Sequence, residues 1–155
     1  MSSPVKPRSP AGFTLVELVI VLILVGIISA LGIGLFASGS TYSGGAARDQ
    51  FVSSAMLAQK RALTRVQPGE PVQFELVQTD RQWQFRVSQG ATQFEERTAD
   101  REGASLIVDG SAFSGSRTFT FDSRGRTGEN VALSFDGANA CLSSGGFAYL
   151  GGCQP

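Results

Sequence analysis

The chain contains no histidine, which removes the commonest general base and one of the commonest metal ligands. Serine is abundant, but no imidazole is present to activate it as a nucleophile. Lysine is almost missing: only Lys6 and Lys60 occur, so the positive charge is carried mainly by arginine. Cysteine is limited to Cys141 and Cys153, a spacing that fits neither a CxxC redox motif nor a zinc site, since other ligands are lacking. Net charge is zero, which argues against binding nucleic acid by bulk charge. The carboxylates are scattered, with no spacing that pairs an acid with a base. The glycine-bearing GGAARD and RGRTG segments are not phosphate loops. These absences lead to the expectation of a chain that is not an enzyme and that uses no cofactor, metal or small-molecule substrate.

What the chain does have is one apolar stretch, Gly12 to Ala37, with a single charge, Glu17, near its start. As a helix, Leu18 to Ala37 would span roughly 30 Å, the thickness of a bilayer's hydrocarbon core. A carboxylate at the edge of such a run costs insertion energy, up to about 3 kcal/mol at mid-bilayer, so Glu17 calls for a functional reason. Residues 1–12 carry Pro4, Pro7 and Pro10, too closely spaced for a stable helix, together with Lys6 and Arg8. Positive charge before the apolar run predicts a cytoplasmic N-terminus. The two cysteines, placed after a membrane segment, suggest a disulfide in an oxidising compartment such as the periplasm, against the alternative of two free thiols. A disulfide closing this short loop contributes about 3 kcal/mol by the chain-entropy estimate.

Further along, residues 38–45 (SGSTYSGG) read as a break at which a helix bends, frays or melts. A helical pattern returns from Ala46 to about Val66. Phe51, Ala55, Ala58, Ala62 and Val66 share one face, with Val52, Met56 and Leu63 beside it, and Gln67-Pro68-Gly69 ends the pattern. The period then changes to two. Val72, Phe74 and Leu76 alternate with polar residues, as do Trp83, Phe85 and Val87, with a hairpin turn over 78–81. Residues 89–103 are dense in mixed charge and read as a mobile loop. Further strands are expected at Leu106–Val108, Thr118–Phe121, Val131–Phe135 and Phe147–Leu150. The expected fold class is α+β, with five or six short antiparallel strands against one long helix.

Gly12, Phe13, Thr14, Leu15, Val16 and Glu17 resemble the class III signal of type IV pilins and type II secretion pseudopilins. The resemblance implies a pilin fold: a long hydrophobic N-terminal helix whose second half packs on a β-sheet head. It implies a leader (1–12) removed by prepilin peptidase after Gly12, N-methylation of Phe13, a transmembrane or filament-core helix (13–37), an amphipathic half (38–67) and a periplasmic head (68–155). Glu17 becomes the acidic residue at mature position five, where it neutralises the new amine of a neighbouring subunit or of its own chain. Gly34 departs from the pattern, standing where many major pilins carry a helix-kinking proline. The partners implied are other pilin or pseudopilin subunits, the peptidase and, before assembly, the inner membrane.

Residues 58–76 and the turn carrying Phe121, Gly125 and Arg126 resemble the GspH/FimT group of minor pilins. Together with the C-terminal cysteine pair, the chain also resembles the MshC-type minor pilins of mannose-sensitive haemagglutinin pili. These resemblances imply a minor pilin near a filament tip that primes assembly, or a pseudopilin serving protein export. The alternative is a FimT-like DNA receptor. Its candidate contacts are Arg117, Arg124 and Arg126, joined by Arg97 and Arg101, although Asp122 and Glu129 lie among them.

Overall fold

The computed structural model describes residues 14–36, 39–64 and 69–154, with only the backbone for 30–36 and 39–41. The chain divides into two compact units, 1–37 and 38–155. The first contains helix α1 (Leu15–Phe36). The second contains helix α2 (Gly39–Thr64) and, among the described residues, nine strands. These are β1 (Val72–Gln78), β2 (Gln82–Gln89), β3 (Thr92–Asp100), β4 (Leu106–Val108), β5 (Ser111–Ala112), β6 (Gly115–Phe121), β7 (Val131–Phe135), β8 (Ala138–Leu142) and β9 (Ala148–Leu150). They form two antiparallel sheets, ordered β3-β2-β1-β6 and β5-β4-β7-β8-β9. The α+β class holds, while the expected five or six strands are too few and the single expected sheet is two.

Helix α2 packs on both sheets, and its composition explains how. Ala47, Ala55, Ala58 and Ala62 are buried along one face, so the backbone can lie close to the strands. Phe51 is the large side chain on that face, and it fills the junction of the two sheets. Its ring lies 5.3 Å from Phe74 and 6.1 Å from Phe119 on one sheet, and 5.9 Å from Phe135 on the other. Tilted and edge-on contacts of this kind add to the burial itself. Trp83 meets Phe135 edge-on at 5.4 Å, and its indole N–H donates to Gln78 Oε1 at 2.9 Å. Met56 and Leu63, expected beside the apolar stripe, are more than half exposed, and Val66 lies outside the described residues.

Two expectations are corrected. Residues 39–45 do not break the helix, because α2 begins at Gly39 and runs through them. Tertiary contact offsets the poor helix propensity here. Ser43 is buried and its hydroxyl donates to the Arg101 carbonyl at 3.0 Å. A Cβ on Gly44 would collide with the carbonyl of Phe135, so only glycine allows this turn of helix to sit on the β7–β8 corner. Residues 89–103 are not a loop either. Thr92–Asp100 form β3, paired along β2 with a register shift between Val87 and Ser88. This is an edge strand with mostly exposed side chains, so its charges pair across the surface. Arg86 meets Glu96 and Glu75, and Arg97 meets Glu95.

The remaining strands fall close to expectation. The β1–β2 hairpin turns at 79–81, β4 and β7 have the expected bounds, β6 starts three residues early, and β9 starts one residue late. Strands β5 and β8 were not anticipated. Asp109-Gly110 and Asp136-Gly137 form the β4–β5 and β7–β8 turns, with positive φ at all four residues, as tight hairpins require.

Candidate functional site

Helix α1 opens on a reciprocal cap. The backbone N–H of Glu17 donates to Thr14 Oγ1 at 3.2 Å. Glu17 Oε2 accepts from the Thr14 N–H at 3.2 Å and from its hydroxyl at 3.4 Å. This is a capping box, in which two otherwise orphaned amide donors at a helix start are satisfied by side chains three residues apart. The Thr14-Leu15-Val16-Glu17 spacing already carried the signal. The carboxylate also lies where the positive end of the helix dipole favours it. Glu17 Oε1 has no hydrogen bond among the described residues, so one oxygen caps the helix and the other remains available. Gly12 and Phe13, the expected cleavage and methylation positions, lie outside the described residues, as does the leader 1–12.

Past the cap, the described side chains of α1 are exposed on every side. Leu15, Leu18, Leu22 and Ile28 are all more than half exposed, and the helix shows no polar face. Ser29, its one hydroxyl after the cap, returns its proton to the Val25 carbonyl at 2.7 Å. A helix that is apolar all round is stable only when covered by lipid or by other helices. Among the described residues, no helix is long and apolar enough to cross a membrane, and the expected span 18–37 runs beyond the described side chains.

Residues 7–33 match the family model of the prokaryotic N-terminal methylation motif. The match supports a type IV pilin-like chain, processed by a prepilin peptidase and assembling with other pilin subunits. It also suggests an inner-membrane anchor. The α+β head is consistent with a type IV pilin fold. No curated protein and no solved structure gives a significant match.

The head carries the other candidate residues. Cys141 and Cys153 form a disulfide, with Cα atoms 5.0 Å apart. Cys141 lies in β8 opposite Tyr149 of β9, so the bridge ties the end of the chain to the last hairpin. The candidate arginines are engaged one by one rather than pooled. Arg117 pairs with Asp109 at 3.0 Å and Glu129 at 3.4 Å. Arg126 grips Asp122 through Nε at 3.1 Å and Nη2 at 2.9 Å. Arg97 pairs with Glu95 and donates to Gln50. Arg101 donates to the carbonyls of Thr79 and Ala104. Arg124 is exposed, and its side chain has no partner among the described residues.

The turn carrying Phe121, Gly125 and Arg126 is a docking point for α2. Gly125 has φ +72°, and an added Cβ would crowd Gln59 and Leu63 at 3.1 Å. Gln59 Nε2 donates to the carbonyls of Gly145 at 3.2 Å and Gly125 at 3.4 Å, fastening two turns to the helix. Asp122 Oδ1 accepts the backbone N–H groups of Arg124 and Arg126. Its carboxyl is held below the usual aspartate value. The Arg126 N–H is the largest cause; desolvation opposes it, and the Arg126 guanidinium and the Arg124 N–H add to the lowering.

Proposed function

We propose that the chain is a minor subunit of a type IV pilus or type II secretion pseudopilus that joins the filament through its N-terminal helix and primes assembly near the tip. The carrying observation is a helix without a polar face that starts at a Thr14–Glu17 cap with one carboxylate oxygen unspent. Cleavage after Gly12 would create a positive amine at Phe13, a helical turn from Glu17. In a water-poor bundle of parallel helices an unpaired amine or carboxylate is costly, and a paired one far less so. Glu17 Oε1 is then the acceptor for the amine of a neighbouring subunit, which sets the axial register. The apolar surface of α1 supplies the non-directional packing. The GspH/FimT-like turn and the terminal disulfide are the features that favour a minor rather than a major subunit.

A FimT-like role in DNA uptake gains little from the geometry. Electrostatic binding of a duplex needs several uncommitted bases, whereas Arg97, Arg101 and Arg117 are engaged internally, which leaves Arg124 and one edge of Arg126 among these candidates. Intact-mass measurement of the protein from a host with prepilin peptidase tests the proposal. The expected species is residues 13–155 with one added methyl group. An uncut chain, or a cut beyond the apolar run, overturns it.

A further inference from the structure

We propose that the groove between the β6–β7 turn and the β8–β9 turn binds a carboxylate of an acidic oligosaccharide through the unspent edge of the Arg126 guanidinium. The groove holds about 660 Å³ and is lined by Pro71, Thr120, Asp122, Arg126, Thr127 and Ser144, among others. That volume lies within the usual range for small-ligand sites.

The walls are fixed before any ligand arrives. The N–H groups of Thr127 and Gly128 donate to the Ser144 carbonyl at 3.2 and 3.0 Å. The Thr127 hydroxyl donates to the Ser143 carbonyl at 2.8 Å, and the Ser144 N–H donates to Asn130 Oδ1 at 2.7 Å. Gly146 lies so close to the Gly125 carbonyl that no side chain would fit between the two turns. A preorganised wall spares a ligand part of the ordering cost of binding.

The hydrogen-bonding groups left over decide the ligand's chemistry. Both oxygens of Asp122 are committed: Oδ1 to two backbone N–H groups, Oδ2 to Nε and Nη2 of Arg126. The same contacts fix the plane of the guanidinium. Its Nη1 has no internal partner among the described residues, and neither do the hydroxyls of Thr120 and Ser144. The guanidinium edge only donates, whereas the two hydroxyls can donate or accept, so the ligand must bring acceptors to Arg126 and can meet Thr120 and Ser144 with hydroxyls of its own. A planar carboxylate matches a guanidinium edge with two parallel hydrogen bonds. Arg117 is a poorer candidate, because its guanidinium already lies between two carboxylates, Asp109 and Glu129, that would repel a third. Exposed Arg124 on the same turn adds an uncommitted positive charge. Among the described lining residues Pro71 is the one apolar side chain, and they form no apolar pocket of the kind that anchors a peptide side chain. A polyhydroxylated ring bearing a carboxylate fits these walls better.

The test is calorimetric titration of the full chain in detergent micelles with trigalacturonate, maltotriose and triglutamate. Trigalacturonate is expected to bind and to lose affinity at least about tenfold with Arg126→Gln. Maltotriose is expected not to bind. The variant Thr120→Val/Ser144→Ala, which leaves the Asp122–Arg126 grip intact, is expected to weaken binding several-fold with an unchanged far-UV spectrum. If Arg126→Gln disturbs the fold, that double variant decides alone. Four results would each overturn the proposal: no heat with trigalacturonate at millimolar concentration, equal binding of maltotriose, equal or tighter binding of triglutamate, or an unaltered affinity in the hydroxyl variant.

Discussion

Gly44 and Gly45 are neighbours inside α2, and alanine is expected to act on them in opposite directions. In a helix interior, glycine is less favourable than alanine by roughly 0.5–1 kcal/mol. At Gly45 an added Cβ meets nothing within 4 Å, so Gly45→Ala should stabilise the head by about that amount. At Gly44 the same methyl would fall on the Phe135 carbonyl and lie 3.2 Å from Cβ of Asp136. Both atoms belong to a tight turn in which Asp136 and Gly137 have positive φ, so the corner cannot easily retreat. Overpacking costs about 1–3 kcal/mol, which exceeds the propensity gain and leaves Gly44→Ala destabilised by roughly 1–2 kcal/mol. The two variants should therefore differ by about 2–3 kcal/mol, which is a separation of about 1 M in urea midpoint for a typical slope. Trp83, the sole tryptophan and fully buried, reports the transition by fluorescence in detergent-solubilised protein. If Gly44→Ala proved as stabilising as Gly45→Ala, the packing of this turn on the β7–β8 corner would be wrong.

Phe51→Ala removes the ring that joins the two sheets, and should cost about 3–5 kcal/mol in the same unfolding assay; a loss under 1 kcal/mol would contradict the cluster around it. Replacing Cys141 and Cys153 together by alanine should lower stability by about 2–3 kcal/mol, since the bridge closes a short loop in the unfolded chain. Unfolding of the oxidised and reduced forms of the unaltered chain should show the same difference. The depressed Asp122 carboxyl stabilises the turn fully above the ordinary aspartate value, and that contribution is lost as pH falls through its lower folded-state value. The amide resonances of Arg124 and Arg126 should accordingly shift only in that acidic range, and Asp122→Asn should abolish the shift.

Legibility in the sequence followed how one-sided each element's surroundings are. The β1–β2 hairpin has one buried face, so Val72, Phe74, Leu76, Trp83, Phe85 and Val87 alternate cleanly and were readable. Strand β3 lies at an edge with few buried side chains, and its glutamates and arginines look like a loop until their cross-strand partners are known. Strand β8 is built largely from Ala138, Asn139, Ala140 and Cys141, residues with little β preference. The Asp136-Gly137 turn before it was the usable sign. The helical state of 39–45 could not be read locally, because Ser43 and Gly44 are held by partners far along the chain. For the candidate site, the Thr14–Glu17 cap follows from a spacing of three. How far each arginine is committed was not legible, because the partners that fix it, an acid for Arg97, Arg117 and Arg126 and backbone carbonyls for Arg101, are set by the fold and not by the local count of bases.

The fastening of α2 also bears on how the head would carry a load. Its attachments are spread along its length: the Ser43 hydroxyl on Arg101 near the start, Phe51 in the aromatic cluster, the Ser54 hydroxyl on Glu95, and Gln59 on two turns towards the end. A pull along the helix axis from its N-terminal end would strain these contacts together, in shear, instead of peeling them away in sequence. Bonds loaded in parallel share the force, and none has to fail first. By this arrangement tension applied along α2 reaches both sheets of the head at once instead of concentrating on one contact.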